Sequence, residues 1–182
     1  MSIINIINNI AYRKLKDEIK VQNHKPFICP LNDAKNIGII FNATELSNIE
    51  TIKKIYYKLK NEKNKIEILG FLNNNTIVTN DKINFINIKN INWYKKPKKI
   101  FIENFINSEF DILLNLDLDN LITLQFVSVF SKAKFKIGCY DKINSKIFDF
   151  MISFNSIENR EEYNIENLVN LINFYSNNFK TK

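Results

Sequence analysis

FDILLNLDLDNLITLQFVSVFSKAKFKIGCYD, residues Phe110 to Asp141, reads as one strand, helix, strand unit of a parallel sheet. Asp111 to Leu116, DILLNL, is a predominantly apolar run of strand length, too short for a helix. Asp117 or Asp119 follows as a cap, because a short carboxylate accepts the amide hydrogens that a helix's first turn leaves without partners. The helix predicted from Asn120 to Lys132 carries no charged side chain before its end. A helix apolar on nearly all sides must be buried, which places it between the sheet and a further layer. Phe135 to Tyr140 returns as the next strand.

Upstream, Asn36 to Leu72 repeats the pattern. Ile37, Ile39, Ile40 and Phe41 make a short apolar strand, and Ser47 with Glu50 three residues on matches a capping box. Ile49, Ile52, Tyr56 and Leu59 recur at helical spacing to face the sheet, with Lys53, Lys54, Lys58 and Lys60 toward water. Ile66 to Leu72 supplies the following strand. Downstream, Met151 to Phe154 reads as a last strand, and Ile165, Leu168, Ile172, Tyr175 and Phe179 mark a closing amphipathic helix. Residues 73–105 are the least legible, with a turn at Asn73 to Asn75, an edge strand over Ile83 to Ile88, and a loop from Asn92 to Lys99. The first residues, MSIINIINNIAYRKLK, form an amphipathic helix with Ile3, Ile6, Ile7, Ile10, Leu15 and Ile19 near one side. That helix folds back on the domain or on a second copy, or lies on an anionic membrane surface or partner protein. Strands alternating with helices imply parallel pairing. The predicted fold is a three-layer α/β domain, with a mostly parallel Rossmann-like sheet, helices on both faces and an extra N-terminal helix. Residues 1–24 form that helix and 25–182 a single domain.

Composition narrows the function classes. The chain has 182 residues, 45% of them apolar, enough for one core. Its formal charge is +7, yet of 26 basic residues only Arg13 and Arg160 are arginines. Phosphate and base recognition favour arginine's planar fork, whereas Lys, Asn, Ile and Phe accumulate together in an AT-rich genome. The charge is therefore weak support for nucleic-acid binding. Cys29 and Cys139 stand far apart with no CxxC, so neither zinc nor a disulfide framework is indicated, and Cys139 reads as a small buried hydrophobe. His24 is the only histidine, which excludes a multi-histidine metal site. No run of about eighteen apolar residues spans a bilayer, and the charges of the first segment follow its apolar part rather than precede it. The expected setting is cytoplasmic.

Ligands of open parallel sheets bind beyond the carboxyl ends of the strands. That rule gathers Asn42, Thr44, Glu45, Asp117, Asp119 and Asp141 as candidate ligand-binding residues, with helix capping as the competing role. Paired carboxylates there suit a magnesium ion or acid–base work. Gly38, Gly70 and Gly138 are the only glycines and none sits in a phosphate-cradling motif. A second candidate surface is the loop bearing Trp93, Tyr94, Lys95, Lys96, Lys98 and Lys99, where interleaved aromatic and basic groups suit stacking on RNA bases. The competing expectation is a solvated connection with its Trp tucked against the core. No cofactor and no metal are predicted.

FDILLNLDLDN, then an apolar helix, then AKFKIGCYD resembles the latter part of the N-terminal half of heptosyltransferase-type glycosyltransferases, with Gly138, Tyr140 and Asp141 at the places of its "IG", aromatic and acidic positions. The whole chain resembles a family of small uncharacterised bacterial proteins, a domain of unknown function, through IGIIFNATE at Ile37 to Glu45, NSEFDILLN and FKIG. The glycosyltransferase likeness implies a sugar-nucleotide site. However, the Gly-Asp pair those enzymes carry after the first strand is here Asn42, Ala43, Thr44, Glu45, and no second half of the enzyme is present in the chain. The expected function is a non-catalytic protein-binding or assembly module. A degenerate domain binding a sugar nucleotide or phosphorylated ligand is the alternative, and RNA binding is third.

Overall fold

The computed structural model describes residues 2–141, 144–153 and 164–176. Among them six strands form one sheet: β1 (Asn36–Asn42), β2 (Lys65–Leu72), β3 (Ile83–Asn87), β4 (Ile112–Asn115), β5 (Phe135–Cys139) and β6 (Phe150–Ile152). Their order is β3-β2-β1-β4-β5-β6, and every pairing is parallel. This is the order of the doubly wound dinucleotide-binding sheet, in which the chain winds outward from the centre, returns and winds out the other way. The reversal falls between β1 and β4, which pair from Ile37↔Ile112 to Ile40↔Asn115.

Both faces of the sheet are covered, which is why its strands read as continuous apolar runs rather than alternating ones. On one face α2 (Leu46–Leu59) and α5 (Ile165–Ser176) meet Ile37, Ile39, Phe41, Ile112 and Leu114. On the other, α3 (Lys99–Asn107) and α4 (Ile122–Phe130) meet Ile40, Leu69 and Leu113. The N-terminal helix α1 (Ile3–Val21) then lies over α4, where Ala11 and Leu15 pack on Ile122, Phe126 and Val129. Helix α4 is thus enclosed: Leu124 and Val127 face the sheet while Phe126 faces α1. Its lack of charge has that cause.

Several boundaries move. Helix α4 begins at Ile122 rather than Asn120, because Asp117 and Asn120 hold the preceding residues in a loop, with Asn120 at φ 52°. Helix α2 begins at Leu46, with Glu45 at its N-cap and no side-chain cap. The expected Ser47/Glu50 capping box is therefore absent, since Ser47 already lies in the first turn and its carbonyl accepts from Thr51 Oγ1. Ile55 joins Ile49 and Ile52 as buried residues of that helix, while Tyr56 and Leu59 pack half-buried against the same core, as expected. In α1 the apolar side is only partly used, as Ile3 and Ile6 stay exposed. Helix α3, unread in the sequence, carries Ile102, Phe105 and Ile106 at helical spacing into the second core. Edge strand β3 and strand β6 lie where expected, while Phe154 and Phe179 fall outside the described residues.

Gly138 lies beneath the buried ring of Phe148, where a Cβ would stand 2.7 Å from two ring carbons. Phe148 sits in the layer shared with α1 and has little room to retreat. Gly138→Ala is expected to lower stability by about 1–3 kcal/mol, the usual cost of overpacking. Urea unfolding at constant m-value checks it.

Candidate functional site

At the crest where β1 and β4 diverge, the expected polar residues form a closed network. Asn42 Nδ2 donates to Asp119 Oδ2 at 2.6 Å, and Asn42 Oδ1 accepts the amide of Thr44 at 3.0 Å. Thr44 Oγ1 in turn accepts the amide of Asn73 after β2, at 3.0 Å. These bonds tie the exits of β4, β1 and β2 to one another. Asp117, 2% exposed, accepts the amides of Asp119 at 3.1 Å and Leu121 at 2.5 Å. Burial pushes its carboxyl up to about 7, with the neighbouring Asp119 charge adding and the two amides opposing. Asn42, Thr44, Asp117 and Asp119 therefore meet. Glu45 and Asp141 do not join them: Glu45 is exposed at the α2 N-cap, and Asp141 acts on α1, where burial and the Asp141 charge raise the Tyr12 hydroxyl.

The crest is acidic and largely occupied with itself. Its carboxylates stand where a doubly wound sheet receives phosphate, and the three glycines serve elsewhere, under Phe110, Phe85 and Phe148 within the strands. Among the described residues no group of three His, Cys, Asp or Glu side chains could hold a metal ion. Neither cysteine is in a disulfide, and burial with the Asp117 charge pushes the Cys139 thiol up to about 12, far from a reactive thiolate.

The second candidate surface has a different character. Ile91 and Pro97 pair as an antiparallel bridge, closing a turn over Asn92 to Lys96. Asn92 Oδ1 accepts the amides of Tyr94 and Lys96 at 3.1 and 3.0 Å, and its amide donates to the Lys96 carbonyl at 2.9 Å. Lys95 sits at φ 66°, a left-handed conformation that residues other than glycine seldom take. Its carbonyl accepts Thr123 Oγ1 at 2.9 Å and its ammonium donates to Asn8 at 2.8 Å. Lys96 reaches Glu18 at 2.6 Å and stands 5.0 Å over the Phe130 ring. The turn is thus fastened to both α1 and α4.

Trp93 is nevertheless 65% exposed, which corrects the expectation that it tucks against the core. The inward place belongs to Tyr94, which packs on the α1–α4 layer and meets Trp93 edge to face at 5.2 Å. The bonds of Asn92 decide which of the two adjacent rings faces in. Ile100 and Phe101, on the first turn of α3, are 80% and 47% exposed. The chain joining them to the turn is held by Lys98, whose amide and ammonium reach the carbonyls of Asn90 and Lys89. A groove of about 250 Å³ opens on another side of α3, lined by Gln22, Lys96, Pro97, Lys99, Ile102, Ile106 and Phe130. Of the four lysines, Lys95 and Lys96 are drawn inward, while Lys98 and Lys99 stay exposed.

The model of a family of unknown function, DUF6913, matches residues 5–178. No curated protein and no solved structure matches the chain.

Proposed function

The chain belongs to that family of unknown function, and from this premise we propose that it is a non-catalytic protein-binding module whose contact surface centres on Trp93. One observation carries the reading: the largest side chain of a tightly fastened turn is left in solvent. Backbone strain such as that at Lys95 persists only where the surroundings over-determine it, and it concentrates at functional segments. A rigid, exposed Trp beside further apolar side chains is the usual composition of an interface hot spot. Ile100 and Phe101, exposed at the start of α3, and the groove against Pro97 add apolar surface close to the turn in the chain, with Lys98 and Lys99 exposed between them. The placement of residues 1–24 as a helical appendage and 25–182 as one domain is part of the proposal, with α1 bracing the turn through Asn8 and Glu18.

The sugar-nucleotide reading has less support. The residues carrying the glycosyltransferase likeness have structural neighbours, Gly138 under Phe148 and Asp141 beside Tyr12, and the crest is acidic. RNA binding loses two of its four lysines to Asn8 and Glu18.

The test is affinity capture from native cells with nuclease present. Wild-type chain is expected to retain a stoichiometric protein partner, and so is Glu45→Ala. Trp93→Ala is expected to weaken it at least about thirtyfold, a hot-spot loss of 2 kcal/mol or more. Capture unchanged in Trp93→Ala, or removed by nuclease, contradicts the proposal.

A further inference from the structure

Between the end of α1, α4 and the start of β5, a cationic cavity is built around a buried lysine. Lys136 is 3% exposed, and its Nζ makes one long hydrogen bond among the described residues, 3.4 Å to the Val129 carbonyl. An ammonium has three donors and is costly to bury without partners for them. The nearest carboxylate, Asp149, is engaged elsewhere: it accepts His24 Nε2 at 2.8 Å and the Lys136 amide at 2.8 Å. Burial pulls the Lys136 ammonium down to about 8 although the Asp149 charge opposes this, so it remains largely charged at neutral pH. Lys136, His24 and Lys146 line one cavity with Gln22, Ile19 and Ile147. Its volume is about 30 Å³, room for two waters or one anion of roughly three or four heavy atoms.

We propose that this cavity is a binding site for a small planar oxyanion, a carboxylate or bicarbonate, whose oxygens take the donors that Lys136 Nζ leaves unused. Charge-assisted bonds of this kind are about twice as strong as neutral ones. Gln22 and Lys146 are exposed at the rim and give entry from solvent. Ile19 and Ile147 supply apolar walls, and a volume of about 30 Å³ takes the three or four heavy atoms of a planar oxyanion better than the five of a tetrahedral phosphate. Gln22 also lines the groove beside Pro97, but the inference rests on Lys136 and not on the Trp93 surface.

The probes are sodium formate, acetate and bicarbonate, with chloride and inorganic phosphate at matched ionic strength. They are added to the full chain carrying ¹³C-labelled lysine. At pH 7 the planar anions are expected to move the Lys136 Cε resonance saturably, with midpoints in the millimolar range, and to raise Tm. Lys136→Met is expected to lose the Tm response, and His24→Asn to weaken it several-fold. A formate or acetate response without bicarbonate identifies a carboxylate, and the reverse identifies bicarbonate. Resonance changes no larger than chloride produces overturn the proposal, as does a response to phosphate alone. The wild-type resonance decides the matter even where Lys136→Met fails to fold.

Discussion

Alanine in place of Phe126 is expected to lower the free energy of unfolding by about 3–5 kcal/mol, the range for deleting a fully buried aromatic ring. Phe126 is 0% exposed and lies between α4 and α1, against Ala11, Leu15 and Phe148. It also stacks on Phe130, with centroids 6.0 Å apart. Helix α4 has fixed partners on its sheet side, so it cannot shift outward to fill the space. The cavity would remain and add to the lost transfer energy. Phe101, on the exposed start of α3, provides the contrast: its alanine variant is expected to change stability by less than about 0.5 kcal/mol. Urea unfolding of both variants checks the pair. A cost below about 1 kcal/mol at Phe126 would show that α1 is not docked on α4 in solution.

Asp117→Ala is expected to cost about 2–4 kcal/mol near pH 5, because it leaves the amides of Asp119 and Leu121 without their acceptor. The deficit is expected to shrink as pH rises. Asp117 goes from 3.8 in the unfolded chain to about 7 in the folded one, so the folded chain holds this proton more tightly. Its contribution to stability is complete below the unfolded value, drains as pH rises from about 4 to about 7, and is lost above that. Each tenfold difference in proton affinity between the two states is worth about 1.4 kcal/mol. Between pH 5 and pH 8 the gap between wild type and Asp117→Ala is therefore expected to narrow by roughly 2 kcal/mol. Other titrating groups cancel in that difference. Urea unfolding of both chains at the two pH values checks it, and a gap that does not narrow with pH would mean that Asp117 is ionised and stabilised by its amides throughout.

What the sequence made legible follows from how each element is buried. Strands covered on both faces leave apolar runs, as Ile37 to Phe41 and Ile112 to Leu114 do, and a helix enclosed on both sides leaves a stretch without charge, as α4 does. Those signals fixed the sheet and the position of the crest. Helix α3 escaped because Ile100 and Phe101 are exposed apolar residues that blur the spacing of Ile102, Phe105 and Ile106. The orientation of Trp93 escaped because it depends on bonds over long separations, from Lys95 to Asn8 and from Thr123 to Lys95. Lys136 had no signal at all, since FKIG reads as an ordinary strand and the groups that enclose its side chain, from α1, α4 and the segment after β5, are distant in sequence. At the crest the grouping of Asn42, Thr44, Asp117 and Asp119 was readable from strand ends, but not that these side chains would satisfy one another. No helix among the described residues is long and apolar enough to cross a membrane.

Trp93 is the only tryptophan in the chain, so collisional quenching of its fluorescence reports directly on the proposed contact surface. The decisive measurement compares acrylamide quenching in the free chain and in complex with the captured partner, after that partner's own fluorescence is subtracted. Ready quenching in the free chain, together with protection and a shift of emission to shorter wavelength in the complex, is the predicted result. A complex in which Trp93 is quenched as readily as in the free chain would contradict the central claim.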